Sequence, residues 1–185
     1  VIPGTLDVIQ STSKVLTIDI IDENEPPVIN GLANSISFNE NASSTVVSLN
    51  VSDPDADAVI TYEISGPDAA ALSISNTGII TFNSPPDYET KNTYNITVLA
   101  TDRNQSTSQE ITINIQDLND APSINGLNTS FSYVENATTD VAAVSASDQD
   151  SGTNLTYSLN GADAALLSIS NTEPYVLSLE LVSNG

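Results

Sequence analysis

The stretch YNITVLATD, Tyr94 to Asp102, sets Tyr94, Ile96, Val98 and Ala100 in alternation with Asn95, Thr97, Leu99 and Thr101. A period of two with one apolar face is the pattern of a half-buried antiparallel strand. Working outward, Ile111, Ile113 and Ile115 alternate with Thr112 and Asn114 in the same way. Val47, Leu49 and Val51 predict another such strand, and Ile60, Tyr62 and Ile64 a further one. The segment SNTGIITF (Ser75–Phe82) turns at Gly78 and enters one more. Only GPDAAAL, Gly66 to Leu72, reads as briefly helical, with Asp68 as its cap. Short alternating strands at this spacing predict an all-β chain and a Greek-key β-sandwich of the immunoglobulin-like kind.

The strand pattern repeats. Setting residue i against i+95 aligns Pro27–Thr77 with Pro122–Thr172 without a gap, and 26 of the 51 positions are identical. Among them are INGL (Ile29–Leu32 and Ile124–Leu127), ENA (Glu40–Ala42 and Glu135–Ala137) and LSISNT (Leu72–Thr77 and Leu167–Thr172). A unit of about 95 residues is close to the ~100 of a seven-stranded sandwich, so the expected architecture is tandem seven-stranded sandwiches. VLTIDIID, ending at Asp22, matches EITINIQD at Glu110–Asp117, so residues 1–22 read as the last strand of a preceding repeat. Residues 23–120 read as a complete repeat. Residues 121–185 read as a truncated one, because EPYVLSLELVSNG does not resemble GIITFNSPPDYET. An open half-sandwich exposes strand edges and core, so residues 121–185 are expected to be less well ordered than 23–120. With no initiator Met and no signal-like segment, the whole reads as an internal piece of a longer chain.

Composition narrows the chemistry. Twenty-four acids stand against Lys14, Lys91 and Arg103, for a net charge of −21. Nucleic acid and anionic membranes require basic patches, so neither is an expected partner. Cysteine and histidine are both absent, which removes disulfides, thiolate and imidazole metal sites, and Ser-His-Asp catalysis. No apolar run is long enough for a transmembrane helix.

The acids cluster between the alternating runs. Glu40 follows the first strand, Asp53 and Asp55 end the second, Asp87 and Glu89 precede Tyr94, and Asp102 closes YNITVLATD. Asp22, Asn24 and Glu25 lie in the first linker, and Asp117, Asn119 and Asp120 in the second. Antiparallel connection sorts Glu40, Asp87 and Glu89 to the end where the chain leaves through Asp117–Asp120. Asp53, Asp55 and Asp102 sort to the end where it arrives. Such acids could simply solubilise the surface, but their repetition at a fixed offset argues for ligands. Gathered carboxylates repel by roughly 3 kcal/mol per pair at ~5 Å and an effective dielectric near 20. Calcium, which accepts about six to eight oxygens, relieves that repulsion better than the tighter magnesium octahedron. An EF-hand is not the means. The loop from Asp53 has Ala58 at its sixth position and Ile64 at its twelfth, and the one from Asp148 has Leu159 at its twelfth.

These motifs resemble those of tandem cadherin repeats, of the kind found in large bacterial surface proteins. Glu40 is similar to the family's base-of-domain glutamate, Asp87-Tyr88-Glu89 to its D-x-E, and Asp117–Pro122 to its interdomain D-x-N-D-x-P. Asp148, Asp150 and Asn154 resemble the following repeat's D-x-D and downstream Asn, and Asp102 the A-x-D aspartate. The resemblance implies calcium at each junction, stiffening a rod of extracellular domains for adhesion or as a spacer. Implied partners are calcium, the neighbouring repeats of the same chain, and another cell-surface protein or a polysaccharide. Glu25 stands where the second linker has Asp120, and no Trp supplies the strand-swap anchor of vertebrate homophilic adhesion. Two other classes compete with this one. Asp87 and Glu89 could serve glycoside hydrolysis, but acids beside a linker without an aromatic cleft are more simply ligands. A calcium-dependent carbohydrate-binding module is the alternative, opposed by the scarcity of aromatics for stacking. Glu63, Asp68 and Asp140 read as solvated charges, and Asp7 falls in register with Asp102 without matching surroundings.

Overall fold

A computed structural model of the protein describes residues 11–135, 139–170 and 176–179. Asp7 and most of the terminal EPYVLSLELVSNG stretch lie outside the described residues. Nine strands build the first repeat: β1 (Val28–Asn30), β2 (Ser35–Asn39), β3 (Thr45–Ser48), β4 (Asn50–Ser52), β5 (Thr61–Ser65), β6 (Leu72–Ile74), β7 (Ile79–Phe82), β8 (Thr93–Thr101) and β9 (Ser106–Gln116). All of YNITVLATD but its final Asp102 falls within β8, which pairs antiparallel with β9 over nine positions, from Thr93 opposite Asn114 to Thr101 opposite Ser106. Its even-numbered face is the buried one, with Ile96, Val98 and Ala100 at 0–2% exposure.

One sheet runs β2-β9-β8-β5 and a second runs β3-β7-β6, with β4 carrying the β3 edge onward to pair with β1. The nine pieces reduce to the seven expected strands, because β3 with β4, and β1 with β2, are each one strand interrupted. The chain changes sheets between β1 and β2 at Gly31. β1 pairs antiparallel with β4, whereas β2 joins the opposite sheet in parallel with β9. Gly31 and its repeat partner Gly126 take φ of +64° and +65°, a left-handed turn glycine adopts without a Cβ penalty, and this accounts for the repeated INGL. Phe38, Leu49, Leu72, Ile80, Ile96, Val98, Ile111, Ile113 and Ile115 fill the space between the sheets.

Gly66 to Leu72 differs from expectation. A single 3-10 turn forms at Ala69–Ala71, and Asp68 stands at its N-terminus without making a capping hydrogen bond. Nor is Asp68 a solvated charge, since its carboxylate is engaged by Lys91 and by the Asn95 N–H.

The second repeat reproduces one sheet and not the other. β10 (Ser123–Asn125) pairs with β12 (Ser145–Ser147) in the register of β1 with β4: Ser123 faces Ser147 as Val28 faces Ser52. β11 (Ala142–Ala143), β14 (Val176–Leu179) and β13 (Leu167–Ile169) form a sheet in the order of β3-β7-β6. The later strands are therefore not all missing, as the loss of sequence similarity had suggested. β14 takes the place of β7, two residues late: Leu72 faces Phe82, ten positions on, while Leu167 faces Leu179, twelve on. Among the described residues nothing takes the places of β8 and β9. Residues 130–134 and 156–160, the counterparts of β2 and β5, consequently form no strand, since β2 and β5 are held by pairing to β9 and β8. Residues 11–22 likewise form no strand, and Val15, Leu16, Ile18, Ile20 and Ile21 are 75–92% exposed.

Candidate metal centres

Glu40 is the least expected residue of the sandwich: a carboxylate at 1% exposure. It sits just past β2, whose parallel pairing with β9 brings the ends of the two strands together. The Glu40 N–H donates to the Gln116 carbonyl at 3.2 Å, continuing that ladder. Its side chain is held by backbone from two directions. Oε1 accepts the Leu118 N–H at 2.6 Å and Oε2 the Tyr88 N–H at 2.9 Å. Glu40 therefore ties the outgoing linker to the turn bearing Asp87 and Glu89.

Among the described residues three groups of acids follow from this architecture. Glu40, Asp87 and Glu89 each place one oxygen so that all lie within 4.8 Å of one another. Glu89 is shared with a second group, completed by Asp117 and by Asp150 of the following repeat. Asp53, Asp55 and Asp102 form the third, at the opposite end of the sandwich. The two ends are those the strand directions assign. Burial and then the charges of Asp150 and Glu40 push the Asp117 carboxyl above the usual range. Glu89 is raised by burial and by Glu40, Asp117 and Asp150. Asp87 is lowered instead, because Thr90 gives it an N–H at 3.1 Å and a hydroxyl at 3.0 Å.

At the first junction Asp102, 5% exposed, accepts the Gln105 and Asn104 N–H groups at 2.6 Å each, with the Asn24 amide at 2.9 Å. These bonds lower its carboxyl. Glu25 is raised, by burial and by Asp55, Asp22 and Asp53. Asp22, Asn24, Asp55 and Asp102 line a groove of about 250 Å³ there.

Both linkers dock on the following domain by the same hydrogen bonds. The Glu25 N–H meets Asp55 Oδ2 at 3.1 Å, and 95 residues later the Asp120 N–H meets Asp150 Oδ2 at 2.8 Å. The Asp55 and Asp150 N–H groups each reach Oδ1 of the aspartate two before, Asp53 and Asp148, at 2.9 Å. The Asn24 and Asn119 amides each close onto the next residue's carbonyl. Glu25 thus substitutes for Asp120 at no cost to this backbone arrangement. Asn154 is exposed beyond the Asp148–Asp150 turn, and no hydrogen bond joins it to these groups among the described residues.

Some participants escaped sequence reasoning. The Asn41 amide donates to Asp120 at 2.9 Å, from a residue at φ +57°. Asn tolerates that left-handed conformation better than most residues, and its place in the repeated ENA was the available signal. Gln149 reaches Asp120 at 3.4 Å, and the Gln105 side chain reaches the Asn24 carbonyl. Neither carries a pattern that singles it out.

The donor set fits a hard divalent cation. It is all oxygen, and oxygens within 4.8 Å of one another can share an ion that takes its ligands at about 2.3–2.6 Å. Asp53 Oδ2 is buried without a hydrogen-bond partner among the described residues, although a buried carboxylate oxygen is ordinarily satisfied.

Comparison with known proteins agrees with this architecture. The cadherin domain family matches residues 34–116. "Cadherin EGF LAG seven-pass G-type receptor 1" of Mus musculus is 32% identical over 161 residues, covering 80% of this chain and 5% of the relative. "Protocadherin-like wing polarity protein stan" of Drosophila melanogaster is 32% identical over 162 residues, covering 81% of this chain and 4% of the relative. The chain thus spans about a twentieth of the length of these curated relatives, which are animal proteins, whereas the motifs resemble those of bacterial surface proteins. Among solved structures, human protocadherin-24 EC1-2 superposes with a TM-score of 0.55 at 25% identity, covering 88% of this chain and 83% of that one. A cadherin domain is an extracellular adhesion module and not an enzyme. Matched in both sequence and structure, the sandwich that holds residues 34–116 is a cadherin domain.

Proposed function

We propose that the chain is a calcium-binding extracellular segment whose junctions are made rigid by the metal, serving adhesion or spacing in a larger surface protein. In this reading residues 1–22 end one repeat, 23–120 form a complete repeat and 121–185 begin the next. The ligands at the second junction are Glu40, Asp87, Glu89, Asp117, Asn119, Asp120, Asp148, Asp150 and Asn154. Those at the first are Asp22, Asn24, Glu25, Asp53, Asp55 and Asp102.

The observation that carries the reading is the group Glu89, Asp117 and Asp150, whose members come from the domain, the linker and the next domain yet lie within 4.8 Å. Without a counter-ion this meeting is repulsive, and the carboxyls of Glu89 and Asp117 are raised first by desolvation and then by their acidic neighbours. An ion placed there attracts all three parts and opposes bending between them. By mass action, calcium far above its dissociation constant adds ~2–4 kcal/mol per site to the folded, straight form.

Calcium titration by calorimetry, with small-angle scattering of the same chain, tests the proposal. The expected result is binding below millimolar calcium and a longer maximum dimension than in chelator. No binding up to millimolar calcium, or dimensions indifferent to chelator, refutes it.

A further inference from the structure

Asp68 and Lys91 stand outside the acid groups, yet both are tied to the turn that carries Asp87 and Glu89. The Asp68 carboxylate is turned away from its own 3-10 turn. Its Oδ2 accepts the Asn95 N–H at 2.8 Å on β8, and its Oδ1 accepts the Lys91 ammonium. Lys91 and the Asn95 N–H together hold this carboxyl below its ordinary range. The Lys91 ammonium also lies 5.0 Å from the centroid of the Tyr94 ring, within reach of a cation–π attraction. The Asp68 side chain is 13% exposed and that of Lys91 43%, so the carboxylate is partly shielded from water and salt while the lysine remains open to both.

The main chain of Lys91 closes the ligand turn. Its N–H donates to the Asp87 carbonyl at 2.9 Å, and within that loop Thr90 grips the Asp87 carboxylate. Main-chain bonds flank the turn, from the Asn41 N–H to the Pro86 carbonyl and from the Ile115 N–H to the Asn92 carbonyl, each at 2.9 Å, and side chains fasten it at two further places. Upstream, the Tyr88 N–H rests on Glu40, itself a ligand candidate. Downstream, Lys91 rests on Asp68 and Tyr94, which belong to no acid group. Lys91 is one of three cations beside 24 acids, and it is spent on this attachment.

We propose that the Asp68–Lys91 ion pair, seated on Tyr94, is a positioning device for the Glu40–Asp87–Glu89 calcium site, holding the 87–91 turn in its ligating shape before the metal arrives. The inference rests on the calcium reading above. A turn already shaped loses less conformational freedom on binding than a loose one, so the pair acts on affinity without touching the ion.

A residue-resolved calcium titration by NMR on the whole chain separates the two claims. The Tyr88 and Leu118 amides report on the Glu40 group and the Gln105 amide on the Asp102 group. Asp68→Ala and Lys91→Met should each weaken binding at the first reporters about threefold to fivefold. The double variant should lose no more than the larger single effect, and Lys91→Arg should restore most of it. Binding at Gln105 should not change. In chelator the Lys91 amide of Asp68→Ala should exchange faster, because the turn it closes has lost its fastening. A wild-type chain with no calcium response at either reporter overturns the calcium reading itself. A wild-type response that both variants match, that both reporters lose equally, or that Lys91→Met strengthens, overturns the positioning role alone.

Discussion

Replacing Glu40 by Ala separates what this residue does for the fold from what it does for the metal. The buried carboxylate accepts two backbone N–H groups, at 2.6 and 2.9 Å. Hydrogen bonds to a charged acceptor contribute about 1.5–3 kcal/mol each, so removing both costs ~3–6 kcal/mol. In chelator part of this loss is offset, because Glu40 raises the carboxyls of Glu89 and Asp117 and its removal relieves them. In calcium nothing is relieved, and a ligand is lost as well. The destabilisation should therefore be larger with calcium than without it. Urea unfolding followed by far-ultraviolet circular dichroism reads this directly. At a slope of ~2 kcal/mol/M, a loss of ~3 kcal/mol moves the midpoint by about 1.5 M. Glu135 is the internal control. It is Glu40's repeat partner but is exposed, and Glu135→Ala should stay within ~0.5 kcal/mol. Equal loss for Glu40→Ala in calcium and in chelator would refute the coupling, leaving Glu40 a purely structural anchor.

Acidity should act on the calcium-free chain in an unusual direction. Glu25, Glu89 and Asp117 have folded carboxyls raised above their unfolded values, so the folded state takes up protons first as pH falls. Thermal melting in chelator should accordingly rise from pH 7 to about 5. Below about pH 4 it should fall, as Asp68, Asp87 and Asp102, whose carboxyls are lowered, lose the bonds that hold them; melting that falls steadily from pH 7 contradicts this. Ile80→Ala, at 0% exposure, should cost ~2–5 kcal/mol, whereas Ile124→Ala, at 64%, should cost under ~1. Gly78→Ala combines φ +77° with a Cβ 3.2 Å from Leu49 and Tyr62, and chemical denaturation should show a loss of ~2–3 kcal/mol. Gly126→Ala, at φ +65° in open space, should cost only ~1 kcal/mol.

Much of this protein is legible in its sequence because the decisive information is periodic. Side chains alternate across a strand whatever its neighbours, so Ile96, Val98 and Ala100 mark a core face without reference to any partner. The 95-residue offset likewise locates Asp53 and Asp148, or Glu25 and Asp120, as equivalent positions, and their hydrogen bonds prove equivalent. Strand direction alone sends Glu40, Asp87 and Glu89 to one pole and Asp53, Asp55 and Asp102 to the other.

What the tertiary structure decided depends on contacts between residues far apart in the chain, which no local pattern encodes. The switch of β2 into parallel pairing with β9 buries Glu40 and aims it at two backbone amides 48 and 78 residues away. Asp68 reads as a helix cap or a solvated acid until the fold brings Lys91 and Asn95 beside it. The second repeat makes the same point. Its residues 130–134 keep much of the β2 pattern yet form no strand, because a strand is stabilised by its neighbour's hydrogen bonds and the place of β9 is not filled among the described residues. Alternation determines which side of a strand is apolar, and only pairing determines whether the strand exists.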